Sequence, residues 1–590
     1  MSKAVTLALV ATSLFAQAPL PPSTPWNGKS RGLIAKPDDK WITVAENTGF
    51  RATPTYVQTV AYLRQLALEA PEVRMVSLGR SPEGRDIWMV IASRDRLFTP
   101  ETLHRSARPT LLVQAGIHAG EIDGKDAGLM LLREVTLGRW RPLLDRANLL
   151  FVPIFNVDGH ERASAYSRIN QRGPDVSGWR TNARNLNLNR DYAKLDALET
   201  RAIVAALDQW KPDLYIDTHV TDGSDYQYDI TFGWNDSSGY SPQSARWLRQ
   251  TLAPQINSAL RAQGHIPGPL IPDDLAQGLT IYNLPPRFSN GYGDVRHTPS
   301  ILVESHSLKP YDQRVLGTLV LLQAALQTLG EEGLSLKRAE INDAESRVNP
   351  VPLAWRVPKA STAAPEIMDM QLIESRTEQS TTSGTNKVEY LGKPVTVRRA
   401  VYRQTEVAAS VRRAKAYWIP AAWSDIAERL RMHGIAMERI SDPREVDVEM
   451  YRLNDPKFDA EPFESHTRVA ATAVIEHRKE RFPIGSFRVA TDQPLGDLVT
   501  VLLEPASEDS FLQWGFFHSI FQRTEYVENY VIEAMAEQML ASDPALKAEF
   551  EKRLAADAAF RASAEQRLDF FYSRTPYADP RWRLYPIARE

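Results

Sequence analysis

The chain has 590 residues, of which 24% are charged and 43% hydrophobic, and its formal net charge is −3. This composition is typical of a globular protein, and the near-neutral charge gives no general electrostatic reason to bind nucleic acid. At roughly 100–200 residues per domain, the length predicts two or three domains. The sequence has no cysteine, which excludes disulfides, thiolate zinc sites, iron–sulfur clusters and cysteine nucleophiles. Any metal ion must therefore be bound by histidine, aspartate or glutamate.

Residues 1–18 have the pattern of a signal peptide. Lys3 precedes an apolar run at 4–15, and a small-x-small cleavage pattern ends at Ala18. The run is too short to anchor the chain stably in a bilayer, and a Pro-rich stretch follows it. The alternative is a buried N-terminal helix. We expect cleavage after Ala18 and a secreted or periplasmic protein without a membrane span.

Residues from about 50 to 335 alternate short apolar runs with amphipathic patterns, which is typical of an α/β fold. Four buried strands are predicted at Thr110–Ala115, Leu149–Phe155, Leu214–Asp217 and Ile301–Glu304. Two helices are predicted between them, at Lys125–Glu134 and Leu198–Trp210. We therefore expect an α/β domain over residues 19–335.

The rest of the chain has a different pattern. Residues 336–390 are polar and rich in turn-forming residues, which indicates a linker. Residues 391–590 are expected to form a strand-rich accessory domain with C-terminal helices, in which strands extend through the stretch 446–503. A helix at 423–433 interrupts the strands. No motif in this half indicates a chemistry.

Polar residues lie at, or just beyond, the carboxyl ends of three of the predicted strands. His118 and Glu121 come after the first strand, His219 follows the third, and Glu304 closes the fourth. The carboxyl ends of strands in an open α/β sheet are where ligands bind. Two histidines and one glutamate are the protein ligands of a catalytic zinc site with one position open for water. The sequence thus predicts one zinc ion per chain, with Glu304 placed to take a proton from that water.

These residues belong to an ordered set of motifs. In chain order the set is Gly79-Arg80-Ser81-x-x-Gly84-Arg85, His118-x-x-Glu121, Asn156-Val157-Asp158-Gly159, Trp179-Arg180, Asn189-Arg190, His219 and Glu304. The set resembles the zinc carboxypeptidase family, the carboxypeptidase A type metallopeptidases, over residues of about 50–320. The resemblance implies a mixed, mostly parallel sheet flanked by helices and makes 19–335 the catalytic domain. It also assigns zinc binding to His118, Glu121 and His219, and the general base to Glu304.

The resemblance implies further roles at the substrate. Arg180 would polarise the scissile carbonyl, and Asn189 and Arg190 would hold a terminal carboxylate, for which the planar fork of an arginine is well suited. The family's mobile tyrosine is expected at Tyr292, with Tyr282 as the second choice.

Two positions depart from the family pattern. Gly120 stands where the family often has an arginine directly before the metal-binding glutamate, so a contact further out on the substrate is missing. Asn187 stands where the family usually has an aspartate that orients a metal-binding histidine. An asparagine can still accept a hydrogen bond, but it carries no charge.

Three functions remain open from the sequence. The leading one is a secreted or periplasmic zinc metallocarboxypeptidase that hydrolyses C-terminal peptide bonds. The second keeps the site but acts as an amidase or deacylase on N-acyl amino acids or cell-wall peptides, with Arg190 holding a carboxylate that need not be a peptide terminus. The third is a non-catalytic envelope binding protein on a peptidase scaffold, which the presence of every metal ligand and of the base disfavours.

Overall fold

A computed structural model describes residues 19–272, 275, 278–359 and 366–590. The predicted signal peptide, 1–18, lies outside the described residues. Among the described residues, none of the helices combines the length and apolar character needed to cross a membrane.

The first part of the chain, up to residue 345, alternates strands and helices. Its strands are β1 (Val73–Arg80), β2 (Asp86–Ala92), β3 (Thr110–Ala115), β4 (Asn148–Val152), β5 (Leu214–Val220), β6 (Ile230–Gly233), β7 (Pro267–Pro269), β8 (Leu279–Ile281) and β9 (Ser300–Ser305). Its helices are α1 (Val44–Asn47), α2 (Tyr56–Glu69), α3 (Pro100–His104), α4 (Asp123–Thr136), α5 (Val157–Glu161), α6 (Leu198–Trp210), α7 (Pro242–Trp247), α8 (Ala253–Ala262), α9 (Ser289–Val295) and α10 (Tyr311–Glu345).

The second part is richer in strands and ends in helices. Its strands are β10 (Val351–Arg356), β11 (Glu366–Gln379), β12 (Asn386–Arg403), β13 (Glu406–Val411), β14 (Ala416–Ile419), β15 (Glu438–Arg439), β16 (Arg444–Phe458), β17 (Val469–Phe482), β18 (Phe487–Ala490) and β19 (Ala588–Arg589). Its helices are α11 (Ser424–Met432), α12 (Gly496–Leu503), α13 (Asn529–Ser542), α14 (Pro544–Ala556), α15 (Ala558–Ala562) and α16 (Ala564–Tyr572).

Eight strands form one mixed sheet in the order β1-β2-β4-β3-β5-β9-β6-β7. Its central strands β4, β3, β5 and β9 are parallel, and antiparallel pairs lie toward both sides. Helices α4 and α10 pack together and against central strands, which are buried along their whole length. Strands covered on both faces have continuous apolar runs rather than alternating ones. The predicted α/β fold with a mostly parallel sheet is confirmed.

Close packing between α4 and the sheet gives a stability prediction. A Cβ atom on Gly128 of α4 would lie 2.1 Å from the ring of Phe151 on β4. Since overpacking a core typically costs about 1–3 kcal/mol, Gly128→Ala should lower the midpoint of urea unfolding. Gly32→Ala is the matched control, because nothing lies within 4 Å of a Cβ there. Equal midpoints for the two variants would contradict this packing.

Two of the motifs have a structural role. Ser81 donates a hydrogen bond to Asp158 (2.7 Å), and the Arg85 guanidinium contacts the same carboxylate at 2.6 Å. Asn156 accepts a hydrogen bond from the Gly159 backbone N–H at the start of α5. The early hairpin β1–β2 is thereby held to the turn that follows β4.

The chain divides into two compact units. The first runs to Ala416 and includes Ser424–Glu438 and Arg488–Ser510; the second comprises Tyr417–Trp423, Arg439–Phe487 and Phe511–Glu590. In the second unit β16 pairs with β17 and β19, and β14 pairs with β19. Helices α13–α16 form a separate apolar cluster there. The predicted domain limits at 335 and 391 stay a prediction.

The stretch expected to be a linker contains regular structure in its described part. Residues 336–345 end α10, and β11 and β12 form a long antiparallel hairpin. Residues 375–379 and 381–387 at the far end of this hairpin are exposed, so no apolar alternation marks them as strand.

One expected strand region is partly helical. Within 446–503, residues 496–503 (GDLVTVLL) form α12, in which every residue is buried. A short apolar run that is buried all round has no polar face, and periodicity then does not distinguish helix from strand.

Candidate active site

Three predicted metal ligands lie together at the carboxyl ends of β3 and β5. Nδ1 of His118 is 3.0 Å from Oε2 of Glu121. Nδ1 of His219 is 3.1 Å from the same oxygen and 3.3 Å from Nδ1 of His118. Among the described residues this is the only group of three or more His, Asp or Glu side chains close enough to share an ion.

The local fold explains why these side chains meet. β3 ends at Ala115 and leads into the loop with His118, whose carbonyl accepts the Glu121 N–H at 2.9 Å. His219 lies within β5, the parallel neighbour of β3. The backbone N–H of Val220 donates to Oε2 of Glu121, which ties the loop to β5.

Each histidine is oriented by a second acceptor. Nε2 of His118 lies 3.0 Å from Oδ1 of Asn187, and Nε2 of His219 lies 2.7 Å from Oδ2 of Asp217. Ser289 donates to that same Asp217 oxygen at 2.6 Å. With the outer nitrogens engaged in this way, Nδ1 of each ring faces the partner ligands, which is the arrangement typical of metal-binding histidines.

The donor set fits zinc. Tetrahedral ligands at the usual Zn–N distance are roughly 3.4 Å apart, close to the separations of 3.0–3.3 Å between these three donor atoms. Burial favours the neutral form of Glu121, but His118 and Arg168 outweigh burial and hold the pKa of that carboxyl well below its usual range. The site therefore offers two imidazoles and one carboxylate, all buried.

Glu304 lies beside this cluster. It is the register partner of His219 across β5 and β9. Burial raises the pKa of the Glu304 carboxyl to about 8, with His219 opposing and the carboxylates of Glu121 and Asp222 adding to the rise. Its Oε2 atom is buried and has no hydrogen-bond partner among the described residues. A carboxyl group of this kind can exchange a proton with a neighbouring molecule.

Arg180 lies at the same cluster. Its guanidinium contacts Oε1 of Glu121 at 3.1 Å and Oδ2 of Asp222 at 3.2 Å. The side chain is 35% exposed and lines the cleft beside the three ligands. It is thus within reach of both the Glu121 carboxylate and a molecule in the cleft.

Asn189 and Arg190 line the same cleft, whose volume is about 640 Å³. Oδ1 of Asn189 accepts the backbone N–H of Ser289 at 2.9 Å. The Arg190 guanidinium lies 4.0 Å from the centre of the Phe288 ring and donates to the Asn189 carbonyl. A cation on an aromatic face in a cleft is well placed to bind a carboxylate.

Tyr292, the first choice for the mobile tyrosine, is not among the residues that line the cleft. Tyr292 is fully buried on α9, and its hydroxyl lies 2.8 Å from Nδ1 of His433. Tyr282, the second choice, lines the cleft together with Glu304. Residues 289–295 form α9, in which every residue is buried.

The sequence did not single out several other cleft residues. Tyr226, Asp222 and Leu302 line the cleft, and Asp217 orients His219. Asp217 could have been identified from the sequence, because it lies two residues before His219 and residues two apart on a strand share a face. The partners of Asp222 come from a distant loop, which no local pattern reveals.

A second cavity adjoins the cleft and has a volume of about 440 Å³. The two share the walls Leu270, Pro272, Tyr282 and Leu284. The far wall is formed by β11 and β12, including Met368 and Val401. The β11–β12 hairpin therefore bounds the space next to the cleft.

The known proteins that are similar to this chain are carboxypeptidases. The family model described as zinc carboxypeptidase matches residues 59–266. Carboxypeptidase 2 from Trichophyton rubrum is 24% identical over 490 residues, which cover 78% of this chain and 84% of that protein. Carboxypeptidase D from Rattus norvegicus is 30% identical over 186 residues, covering 30% of this chain and 13% of that protein.

A solved structure also aligns with the chain. It is a metallo-carboxypeptidase from Pseudomonas aeruginosa in complex with (2-guanidinoethylmercapto)succinic acid, 20% identical, with a TM-score of 0.36. The alignment covers 47% of this chain and 68% of that one.

The motifs, the family match and the named relatives agree on one class of enzyme. The zinc carboxypeptidase model matches residues 59–266 and the relatives named above are carboxypeptidases, which confirms the resemblance read from the motifs over that stretch and supports a metallopeptidase.

Proposed function

We propose that this protein is a metallocarboxypeptidase that removes C-terminal residues from peptides, using one zinc ion held by His118, Glu121 and His219. The observation that carries the proposal is the shared cleft, in which His118, His219, Glu304 and Arg190 line one space and Glu121 converges with the two histidines. An exopeptidase needs both a reacting centre and a group that binds the terminal carboxylate. An endopeptidase does not need the second group.

In the proposed reaction each residue has a distinct task. Arg190 binds the substrate's terminal carboxylate, which places the last peptide bond near the three ligands. Glu304 takes a proton from the attacking water and later gives it to the leaving amine. Arg180 donates hydrogen bonds to the carbonyl oxygen as negative charge develops on it. A zinc ion bound at the triad would supply a Lewis acid that polarises the carbonyl and lowers the pKa of water.

An amidase or deacylase remains the second candidate, because Arg190 can hold the carboxylate of an N-acyl amino acid equally well. The cavity beside the cleft, with apolar walls that include Phe232, Met368 and Val401, is the observation that favours it. The two substrates differ in the group that lies beyond the scissile bond from the carboxylate. This group is a peptide chain in one and an acyl group in the other.

The experiment that separates these functions uses matched substrates. One peptide is supplied as the free acid and as the C-terminal amide, next to an N-acyl amino acid with the same terminal residue, and products are identified by mass spectrometry. Stepwise release of single residues from the free acid alone supports a carboxypeptidase. Cleavage confined to the acyl amino acid supports the deacylase, and equal cleavage of the amide contradicts both.

A change at Arg190 should weaken substrate binding. Losing a hydrogen bond to a charged group costs about 1.5–3 kcal/mol, so Arg190→Met should lower kcat/KM on free-acid peptides by about 10–100-fold, mainly through KM. Steady-state kinetics over a range of peptide concentration measures this change. Arg184→Met is the matched control, since Arg184 is exposed and is not among the residues that line the cleft. An unchanged KM in Arg190→Met would remove Arg190 from substrate binding.

We also propose that the protein is exported to the periplasm or the outside of the cell. The support is the charged start, short apolar run and small-x-small pattern of residues 1–18. N-terminal sequencing of protein from its native host should begin at residue 19. A mature chain that begins at Met1 would contradict export by this route.

A further inference from the structure

Gly120 leaves a space beside the metal ligand Glu121. A Cβ atom on Gly120 would lie 2.6 Å from the Gly178 carbonyl oxygen and 2.7 Å from Cγ of Arg168. The aliphatic stem of Arg168 therefore lies where a side chain at position 120 would begin. Gln171 supports this contact, because its amide donates to the Gly120 carbonyl (3.2 Å) while its oxygen accepts from Nε of Arg168 (3.2 Å).

The Arg168 guanidinium reaches the metal ligand itself. Its Nη2 lies 3.2 Å from Oε1 of Glu121 and 3.0 Å from Oδ1 of Asp222. The side chain is only 9% exposed. The two oxygens of Glu121 thus have separate partners, since Oε2 faces the imidazoles of His118 and His219.

Arg168 and Arg180 both contact Oε1 of Glu121, but their surroundings differ. Arg180 is 35% exposed and lines the cleft, whereas Arg168 is not among the residues that line it. Arg180 can therefore contact a substrate, while Arg168 is confined to the back of the metal-binding carboxylate.

We propose that Arg168 is a positioning residue for the metal site, made possible by the glycine at position 120. Together with Arg180 the guanidinium engages Oε1, which restrains the plane of the Glu121 carboxylate while its other oxygen faces the two imidazoles. Groups that hydrogen-bond to a metal ligand in this way typically contribute 10–100-fold to metal affinity. The inference rests on the proposed zinc site and adds a residue outside the family's motifs.

The test measures zinc affinity directly, by competition with a chromophoric chelator. Arg168→Met should weaken zinc binding by about 10–100-fold. Arg168→Lys should also weaken it, because a single ammonium cannot replace both the Nε contact to Gln171 and the Nη2 contacts to Glu121 and Asp222. The lysine variant keeps a charge and a long stem, and so gives a second measurement if the methionine variant folds poorly. Arg162→Met is the control, since exposed Arg162 stacks over Trp179 and should leave the affinity unchanged.

Two further readouts separate positioning from a general loss of structure. In the Co(II)-substituted protein, Arg168→Met should change the visible absorption spectrum, because Oε1 of Glu121 then keeps only the contact from Arg180 and the carboxylate can turn. At saturating zinc, Arg168→Met should recover most of its kcat, whereas Arg180→Met should not.

Wild-type zinc affinity and an unchanged cobalt spectrum in both Arg168 variants would overturn the inference. His118→Ala separates that outcome from failure of the zinc site. If His118→Ala loses zinc while the Arg168 variants keep it, only the role of Arg168 is wrong. If His118→Ala keeps zinc, the proposed site itself is wrong.

Discussion

Replacing Glu304 with glutamine is expected to lower kcat by about 10²–10⁴-fold while zinc remains bound, because general acid–base catalysis contributes that much. Glutamine has the same shape but neither accepts a proton from water nor returns one to the leaving amine. Glu304 is the register partner of His219 on the neighbouring strand, lines the same cleft and is not one of the three converging ligands. Steady-state kinetics on a free-acid peptide, with zinc content measured on the same sample, tests this expectation.

The control for that change is Glu332→Gln, which alters an exposed glutamate on α10. It should leave kcat and zinc content unchanged. Near-normal turnover in Glu304→Gln would show that another group serves as base. Loss of zinc in the same variant would instead place Glu304 among the ligands.

The second large effect is expected at His118. In His118→Ala only Glu121 and His219 remain of the three donors, and one neutral imidazole of the cluster is lost. The purified variant should contain little zinc, and its kcat/KM should fall by at least about a thousandfold, since a catalytic metal is worth several kcal/mol at the transition state.

Elemental analysis and kinetics on the same preparation check this result. His104→Ala is the matched control, because His104 is exposed on α3 and is not among the clustered ligands. Full zinc occupancy with wild-type hydrolysis in His118→Ala would refute the site. Loss of zinc in both variants would indicate a defect that is not specific to the metal ligands.

Much of the first half of the fold was open to prediction from local patterns. The runs at 110–115 and 198–210 coincide with β3 and α6, because strands buried on both faces and amphipathic helices have distinct periodicities. The order of the strands explains how the site assembles, since residues at the carboxyl ends of neighbouring parallel strands meet at one edge of the sheet. His118, Glu121 and His219 come together for that reason.

What local patterns did not reveal depends on contacts between distant segments. The sequence favoured Tyr292 over Tyr282, and only the packing of α9 shows that Tyr292 is buried while Tyr282 lines the cleft. Gly120 was visible as a missing arginine, but the side chain that fills its space, Arg168, lies 48 residues further along the chain. Helix α12 could not be recognised from periodicity, because all of its residues are buried and it has no polar face.

The measurement that tests the central claim most directly is a zinc titration of metal-depleted protein, followed by the rate of release of a C-terminal residue. The depleted protein should be inactive, and its activity should rise linearly to a break at about one zinc ion per chain. Full activity before zinc is added, or a break well above one ion per chain, would contradict a single catalytic zinc held by His118, Glu121 and His219.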